Sequence, residues 1–408
     1  MPVHWPTVYR QLEGKLQLWS AQQQRQSEHL RAALDVLARW ATRGEKLAAR
    51  VRALLAADGP LAELGRRHRF AWPLASARWD VGQCPDAAAP GPEGCPHPTA
   101  MPPGEVWAAD GSQITPDRHA AVLFGLVNVA VVRMQPGHTP QVFTRSWLLL
   151  EPDLEAALGD EREFVAALRD VYEVRTLSQS ILAAEDRQPP TFAWVDGPLE
   201  LWRQGAAPGE ARRAYAEALH QLLAAGVWPA GYVDRPRSAM LVHTLALLDL
   251  EQQGRLQPSV NLKAHWPGLS DAALWAHLLQ PGQRSPLFRL WTPLPPEGVS
   301  LPLAFFYLRL PRGRGVARVD VPAAMAEHPA ALDALHAQFW YQVHIIPDRL
   351  YPYLLLRAHE EALVTYQERR ALEAYLQRRW AEQSGQAPLR SAKQRAKDTT
   401  AHRGRARR

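Results

Sequence analysis

Val106-Trp107-Ala108-Ala109-Asp110-Gly111-Ser112 opens the stretch of sequence that decides the fold, and Trp194-Val195-Asp196-Gly197-Pro198 closes it. The apolar run 106–109 predicts a short strand ending at Asp110. Residues 121–134, rich in Val and Leu, predict a second strand, and 141–150 a third, with Gln135-Pro136-Gly137-His138 as the turn between them. Residues 161–184 carry Phe164, Leu168, Val171, Leu177 and Ile181 at helical spacing, and Pro189-Pro190 stops that helix. A strand over 191–195 then ends at Asp196, and helices near 210–225 and 237–250 bracket another short strand at 230–233. Hairpin-connected strands followed by helix, strand, helix, strand, helix is the element order of the ribonuclease H-like fold. A plain alternating α/β sheet would not begin with two hairpins. The expected class is therefore α/β, a mixed sheet flanked by helices.

Outward from this stretch, residues 8–57 read as helix, and Leu30, Leu34, Leu37 and Trp40 form an apolar face suited to packing or dimerisation. Residues 75–104 turn to Pro, Gly and Ala and read as a linker or long surface loop. The expected organisation is a helical region at 1–74, that linker at 75–104, a domain with the ribonuclease H-like core at 105–385 and a disordered basic tail at 386–408. Within the domain, 303–310 and 315–321 predict a hairpin around Pro311-Arg312-Gly313-Arg314, 339–346 a strand, and 354–380 one long final helix. Cys84 and Cys95, the only cysteines, fall in the loop and cannot by themselves complete a four-ligand zinc site.

The net charge of +6 is concentrated at one end. From Lys393 onward there are seven Lys or Arg and one acid, so residues 1–392 are neutral overall. Phosphate binding must then come from the tail or from local patches, and Arg312 and Arg314, with Arg309 and Arg318 beside them, are the candidate DNA-binding patch. No apolar run is long enough to span a membrane, and the first residues lack a signal pattern, so a cytoplasmic location is expected.

The chemistry lies in the acids. Hydrolysis of a phosphodiester needs an activated water and neutralised charge at the leaving oxygen, which a pair of divalent ions supplies when several carboxylates converge. Asp110 and Asp196 are each expected at the C-terminal end of a strand, and each is followed by a glycine that permits a sharp turn there and leaves the carboxylate open. If those strands are neighbours, their side chains meet. Glu173 lies on the helix between them, among Val171, Val174 and Leu177, where an acid is costly to bury unless paired or metal-bound. These three acids are the candidate ligands, and hard ions such as Mg²⁺ or Mn²⁺ are the expected occupants. A non-catalytic DNA clamp or adaptor for a translocase is the alternative, as is an RNA- or hybrid-cleaving enzyme of the same class.

The residues also resemble a known family. Ala109-Asp110-Gly111-Ser112-Gln113-Ile114, Tyr172-Glu173-Val174-Arg175, Val195-Asp196-Gly197-Pro198-Leu199, and Tyr351-Pro352-Tyr353-Leu354 followed by Ala358-His359-Glu360 resemble, in order, the motifs of the NurA nucleases. The resemblance implies a manganese-dependent nuclease that degrades DNA from 5′ to 3′. It also implies a homodimer working with a hexameric HerA-type ATPase to resect broken ends. It adds Tyr351 and His359 as auxiliary catalytic groups beside the three acids. Where the family often carries Glu in the Arg318-Val319-acid-Val321-Pro322 segment, this chain has Asp320, which is not counted as catalytic. No phosphate-cradling glycine loop of the Walker kind is present, so ATP hydrolysis is expected of a separate motor.

Overall fold

The structure is a computed structural model that describes residues 3–40, 43–56, 59–74, 87–90, 96–98, 100–157, 159–201, 205–291, 301–311, 313 and 315–385. Cys84, Cys95, Arg312, Arg314 and the basic tail lie outside these residues. The chain divides into two units, Met1–Ala100 with Tyr232–His344, and Met101–Gly231 with Ile345–Arg408. Each unit is assembled from two separate parts of the sequence.

The first unit begins with helices α1 (Trp5–Trp40), α2 (Gly44–Leu54) and α3 (Ala62–Arg67) and strand β1 (Phe70–Pro73), after which β2 (Ala87–Pro90) and β3 (Pro96–Pro98) pair with each other. Leu37 of α1 is buried, and Leu30, Leu34 and Trp40 pack against the same cluster, which includes Leu47, Leu245, Leu274 and Phe305. The apolar face read as a possible association surface is thus filled by the chain's own core. Fully burying a side chain such as Leu37 contributes about 1.5–3 kcal/mol, and its partly buried neighbours contribute less, which is reason enough for that spacing.

The second unit holds residues 106–198. Strands β4 (Glu105–Ile114), β5 (Phe124–Met134) and β6 (Gln141–Leu150) pair antiparallel through two hairpins. Gly137 takes the positive φ of 77° that the tight turn between β5 and β6 requires. Short α4 (Glu151–Leu154) leads to α5 (Glu161–Leu182), whose N-terminus is capped by the Asp160 carboxylate accepting from Glu163 N at 3.2 Å. Helix α5 buries Phe164, Leu168, Val171, Leu177 and Ile181. It crosses back to β7 (Thr191–Asp196), which pairs parallel to β4. Helix α6 (Gly209–Ala224) and β8 (Val227–Val233) follow, and the strand order is β8-β7-β4-β5-β6. This is the ribonuclease H-like arrangement expected from element order, a mixed sheet flanked by helices.

Beyond β8 the chain builds α7 (Met240–Gln252), α8 (Asp271–Leu278), β9 (Phe288–Trp291), β10 (Leu303–Arg309), β11 (Val316–Pro322) and α9 (Pro329–Ile345), with β10 and β11 forming the expected hairpin. The strand expected over 339–346 is instead the end of α9. Leu332, Leu335, Phe339, Trp340 and Val343 are all buried at three- and four-residue spacing, so the helical period over the longer window prevails over the local aromatic and β-branched content. Arg318 is buried beside Asp320, with Nε 2.8 Å from Oδ1, so it contributes nothing to an exposed basic patch.

The second unit ends with α10 (Tyr353–Ala362) and α11 (Tyr366–Ser384) in place of one long helix. Thr365 starts α11 with a reciprocal cap: its hydroxyl accepts from Glu368 N at 3.2 Å, and Glu368 Oε2 accepts from Thr365 N at 2.8 Å. No helix among the described residues is long and apolar enough to cross a membrane.

Candidate active site

Register builds the site. Strands β4 and β7 run parallel with Ala109 beside Val195, so Asp110 and Asp196 are the next residues along two adjacent strands. Neighbouring strands lie about 4.8 Å apart, which brings these side chains to one place on one face of the sheet. At the opposite end of the strands, buried Glu105 accepts from Arg133 Nη2 of β5 at 2.8 Å and from the Thr191 hydroxyl of β7 at 3.2 Å. That charged clasp ties β4, β5 and β7 together and holds the register on which the acids depend.

Asp110 does not end its strand. It lies inside β4, opposite Ala130, and the strand continues to Ile114. Gly111 is accordingly part of the strand and makes no turn there. Gly197, after Asp196, does have a positive φ of 127° and leads the chain out of β7.

Two helices approach β4 from opposite faces. On the face of Asp110 and Ser112 lies α10: His359 Nδ1 is 2.7 Å from Asp110 Oδ2, and the Ser112 hydroxyl donates to Ala362 O and accepts from Val364 N. Asn128, across from Ser112 on β5, also donates to Ala362 O at 2.8 Å. Just before α10, the Tyr351 hydroxyl donates to Asp196 Oδ1 at 2.5 Å. Leu350, its neighbour, is held at a φ of 49°, a conformation that branched side chains disfavour. The break between α10 and α11 therefore has a structural use, because it leaves the end of α10 to be bound by Ser112 and Asn128.

On the other face lies α5 with Glu173. Side chains alternate along a strand, so Gly111 faces α5 where Asp110 faces α10. A Cβ on Gly111 would stand 2.7 Å from Glu173 Oε1 and 2.8 Å from Arg169 Cγ. Only the absence of a side chain lets this carboxylate come against the strand that carries Asp110. Glu173 is buried, and burial raises its pKa well above the ordinary value. Arg169 opposes that shift, while Asp110, Asp170 and Asp196 add to it. Arg169 Nε lies 3.1 Å from Glu173 Oε1, yet neither atom is aligned to hydrogen-bond, so the contact is an ion pair only.

The five predicted residues Asp110, Glu173, Asp196, Tyr351 and His359 thus belong to one unit and one neighbourhood, with Asp110 bound to His359 and Asp196 to Tyr351. Among the described residues, however, no three His, Cys, Asp or Glu side chains form a ready metal cluster. The donors present nonetheless fit a divalent ion. They are hard carboxylate oxygens, and Glu173 Oε1 is buried without a hydrogen bond. Arg169 was not singled out from the sequence. Its signal was the i, i+4 spacing to Glu173, which is shared by many solvated surface pairs.

Comparison with known proteins places these residues in context. A family model described as the NurA domain matches residues 104–364, more than half of the chain. Among solved structures, the NurA nuclease from Sulfolobus solfataricus matches with 12% identity and a TM-score of 0.46, covering 84% of this chain and 95% of that one. A structure of NurA with manganese matches at 11% identity and a TM-score of 0.34, over 67% and 88% of the two chains. The catalytic domain of human endonuclease V matches at 16% identity and a TM-score of 0.32, over 67% and 84%. No curated protein matches the chain.

Proposed function

This chain belongs to the NurA family, a family of nucleases, and we propose that it is a divalent-metal-dependent DNA nuclease whose ligands are Asp110, Glu173 and Asp196. The observation that supports this most is a buried Glu173 oxygen that accepts no hydrogen bond, packed against the strand that carries Asp110 in register with Asp196. Bound Mn²⁺ or Mg²⁺, as a two-ion site, would supply charge neutralisation at the scissile phosphate and activation of water near neutral pH. The protein's own groups prepare for that. Tyr351 holds the Asp196 carboxylate in one orientation, and Gly111 leaves room for Glu173. His359 is bound through Nδ1 to Asp110, which leaves Nε2 outside that contact, and its side chain is 51% exposed. A ring held this way orients the carboxylate and can pass a proton at Nε2.

In finer detail, the proposed activity is 5′-to-3′ exonuclease cleavage, with single-strand endonuclease activity at the same site. The proposed role is resection of double-strand breaks, as a homodimer fed by a HerA-type hexameric ATPase. Labelled linear DNA incubated with Mn²⁺ or with chelator tests the core of this reading: cleavage in Mn²⁺ alone supports it, and binding without cleavage in either favours a DNA clamp. Light scattering at micromolar concentration tests the dimer. Digestion of duplex with the cognate ATPase, with and without ATP, tests the motor coupling. Arg312 and Arg314 remain the proposed DNA contacts, and changing both to Ala should lower the salt dependence of binding by up to about two counterions.

A further inference from the structure

Arg169 is the basic group that acts on Glu173. It stands one turn earlier on α5, its Nε is 3.1 Å from Glu173 Oε1, and its Nη2 is 2.9 Å from Asp170 Oδ1. The stem of the side chain packs beneath Gly111, where a Cβ would meet Arg169 Cγ. Burial works against the guanidinium, but Glu173, Asp170 and Asp110 outweigh it and keep it firmly charged. A guanidinium cannot escape a second cation by giving up its proton. It can only share the carboxylate or move away from it. The contact with Glu173 is not aligned as a hydrogen bond, whereas the contact with Asp170 is, so the side chain is anchored through Asp170 and only leans on Glu173.

We propose that Arg169 is a built-in counter-ion that competes with the divalent ion for Glu173 and thereby weakens metal binding. This inference rests on the nuclease reading above. Before metal enters, the guanidinium offsets the repulsion among Glu173, Asp110, Asp170 and Asp196. With metal bound, two like charges would meet at one carboxylate, and the guanidinium would keep Asp170 and give up its contact with Glu173. Arg169 acts through Glu173 and is a positioning residue, not a ligand.

A structural role and a competing role predict opposite signs. Loss of a merely structural arginine would loosen the site and weaken metal binding, while loss of a competitor tightens it. The test is calorimetric titration of Mn²⁺ into the chelator-stripped full chain, at about pH 8.5 so that proton competition at the carboxylates is small. Arg169→Gln should bind Mn²⁺ about tenfold more tightly than the parent, and Arg169→Lys, which keeps the charge, should stay close to it. Arg169→Met, which keeps an apolar stem under Gly111, replaces the Gln variant if thermal unfolding shows the latter to be misfolded. Unchanged or weaker binding in the folded neutral variants, with the parent binding normally, overturns this inference alone. A parent chain that takes up no Mn²⁺ overturns the metal reading and this inference together.

Discussion

Gly111 on β4 and Glu173 on α5 approach so closely that a Cβ on the glycine would stand 2.7 Å from the carboxylate oxygen Oε1. The glycine acts as a gap in the strand through which an acid from one face of the sheet comes alongside Asp110, which points to the other. Contacts below about 3 Å to a Cβ are not tolerated, so Gly111→Ala must displace Glu173 or Arg169. The expected outcome is a folded protein destabilised by about 1–3 kcal/mol, as for other overpacked sites, with cleavage reduced at least tenfold. Denaturant melts and initial rates on labelled DNA measure both. Near-parental cleavage would show that Glu173 need not lie against β4.

Asp110→Ala, Glu173→Ala and Asp196→Ala should each bring cleavage close to background while the protein stays folded. Groups that serve one shared site lose their effect together, so the double variants should be no worse than the singles. Additive losses in the doubles, or near-parental rates in any two singles, would mean that these acids do not act as one set. In chelator, the Asp variants should melt no lower than the parent beyond the loss of their bonds to His359 and Tyr351, because like charges are being removed.

Tyr351→Phe and His359→Ala address groups that hold a carboxylate rather than replace one. Removing such an outer partner typically costs about 10–100-fold in activity or metal affinity. Tyr351→Phe removes the hydroxyl that Asp196 accepts, so it should raise the Mn²⁺ concentration needed for half-maximal rate. For His359→Ala the loss should fall on the maximal rate, since Asp110 keeps its bond from Gly111 N at 2.7 Å. A His359→Ala enzyme with a parental maximal rate would leave the histidine only a packing role.

Stability should carry a pH signature from the first unit. Asp271 is fully buried, and burial raises its pKa from 3.8 to about 6, against the opposing bonds from Val242 N, Leu241 N and the Tyr307 hydroxyl. A carboxyl whose pKa is higher in the folded state binds more protons folded than unfolded. Its stabilisation is complete below the unfolded value and is lost as pH rises towards about 6. Asp271→Asn removes this dependence, so its stability relative to the parent should improve between pH 4 and 6 by up to about 3 kcal/mol, at roughly 1.4 kcal/mol per pH unit. Denaturant midpoints across that range test the sign, and a flat difference would show that Asp271 stays ionised throughout.

Much of this protein was legible in the chain alone. The element order from β4 to β8 follows from local signals, namely Val-rich strands, the Pro136-Gly137 turn and the spacing of Phe164, Leu168 and Val171, and these depend on neighbours only a few residues away. The five candidate site residues were named from acids in apolar surroundings and from motif order, which are properties of sequence, and the structure brings all five into one unit. What the chain could not disclose depends on distant partners. Whether Leu30, Leu34 and Trp40 cover a core or a partner was settled only when α7 and α8 came to lie against α1. The single helix expected over 354–380 is broken before Thr365, and the purpose of that break comes from Ser112, far away along the chain. Gly111 reads as a turn residue beside Asp110 until α5 is laid across β4. Only then does its missing side chain become the space for Glu173, since a steric gap has no signature until both of its walls are in place.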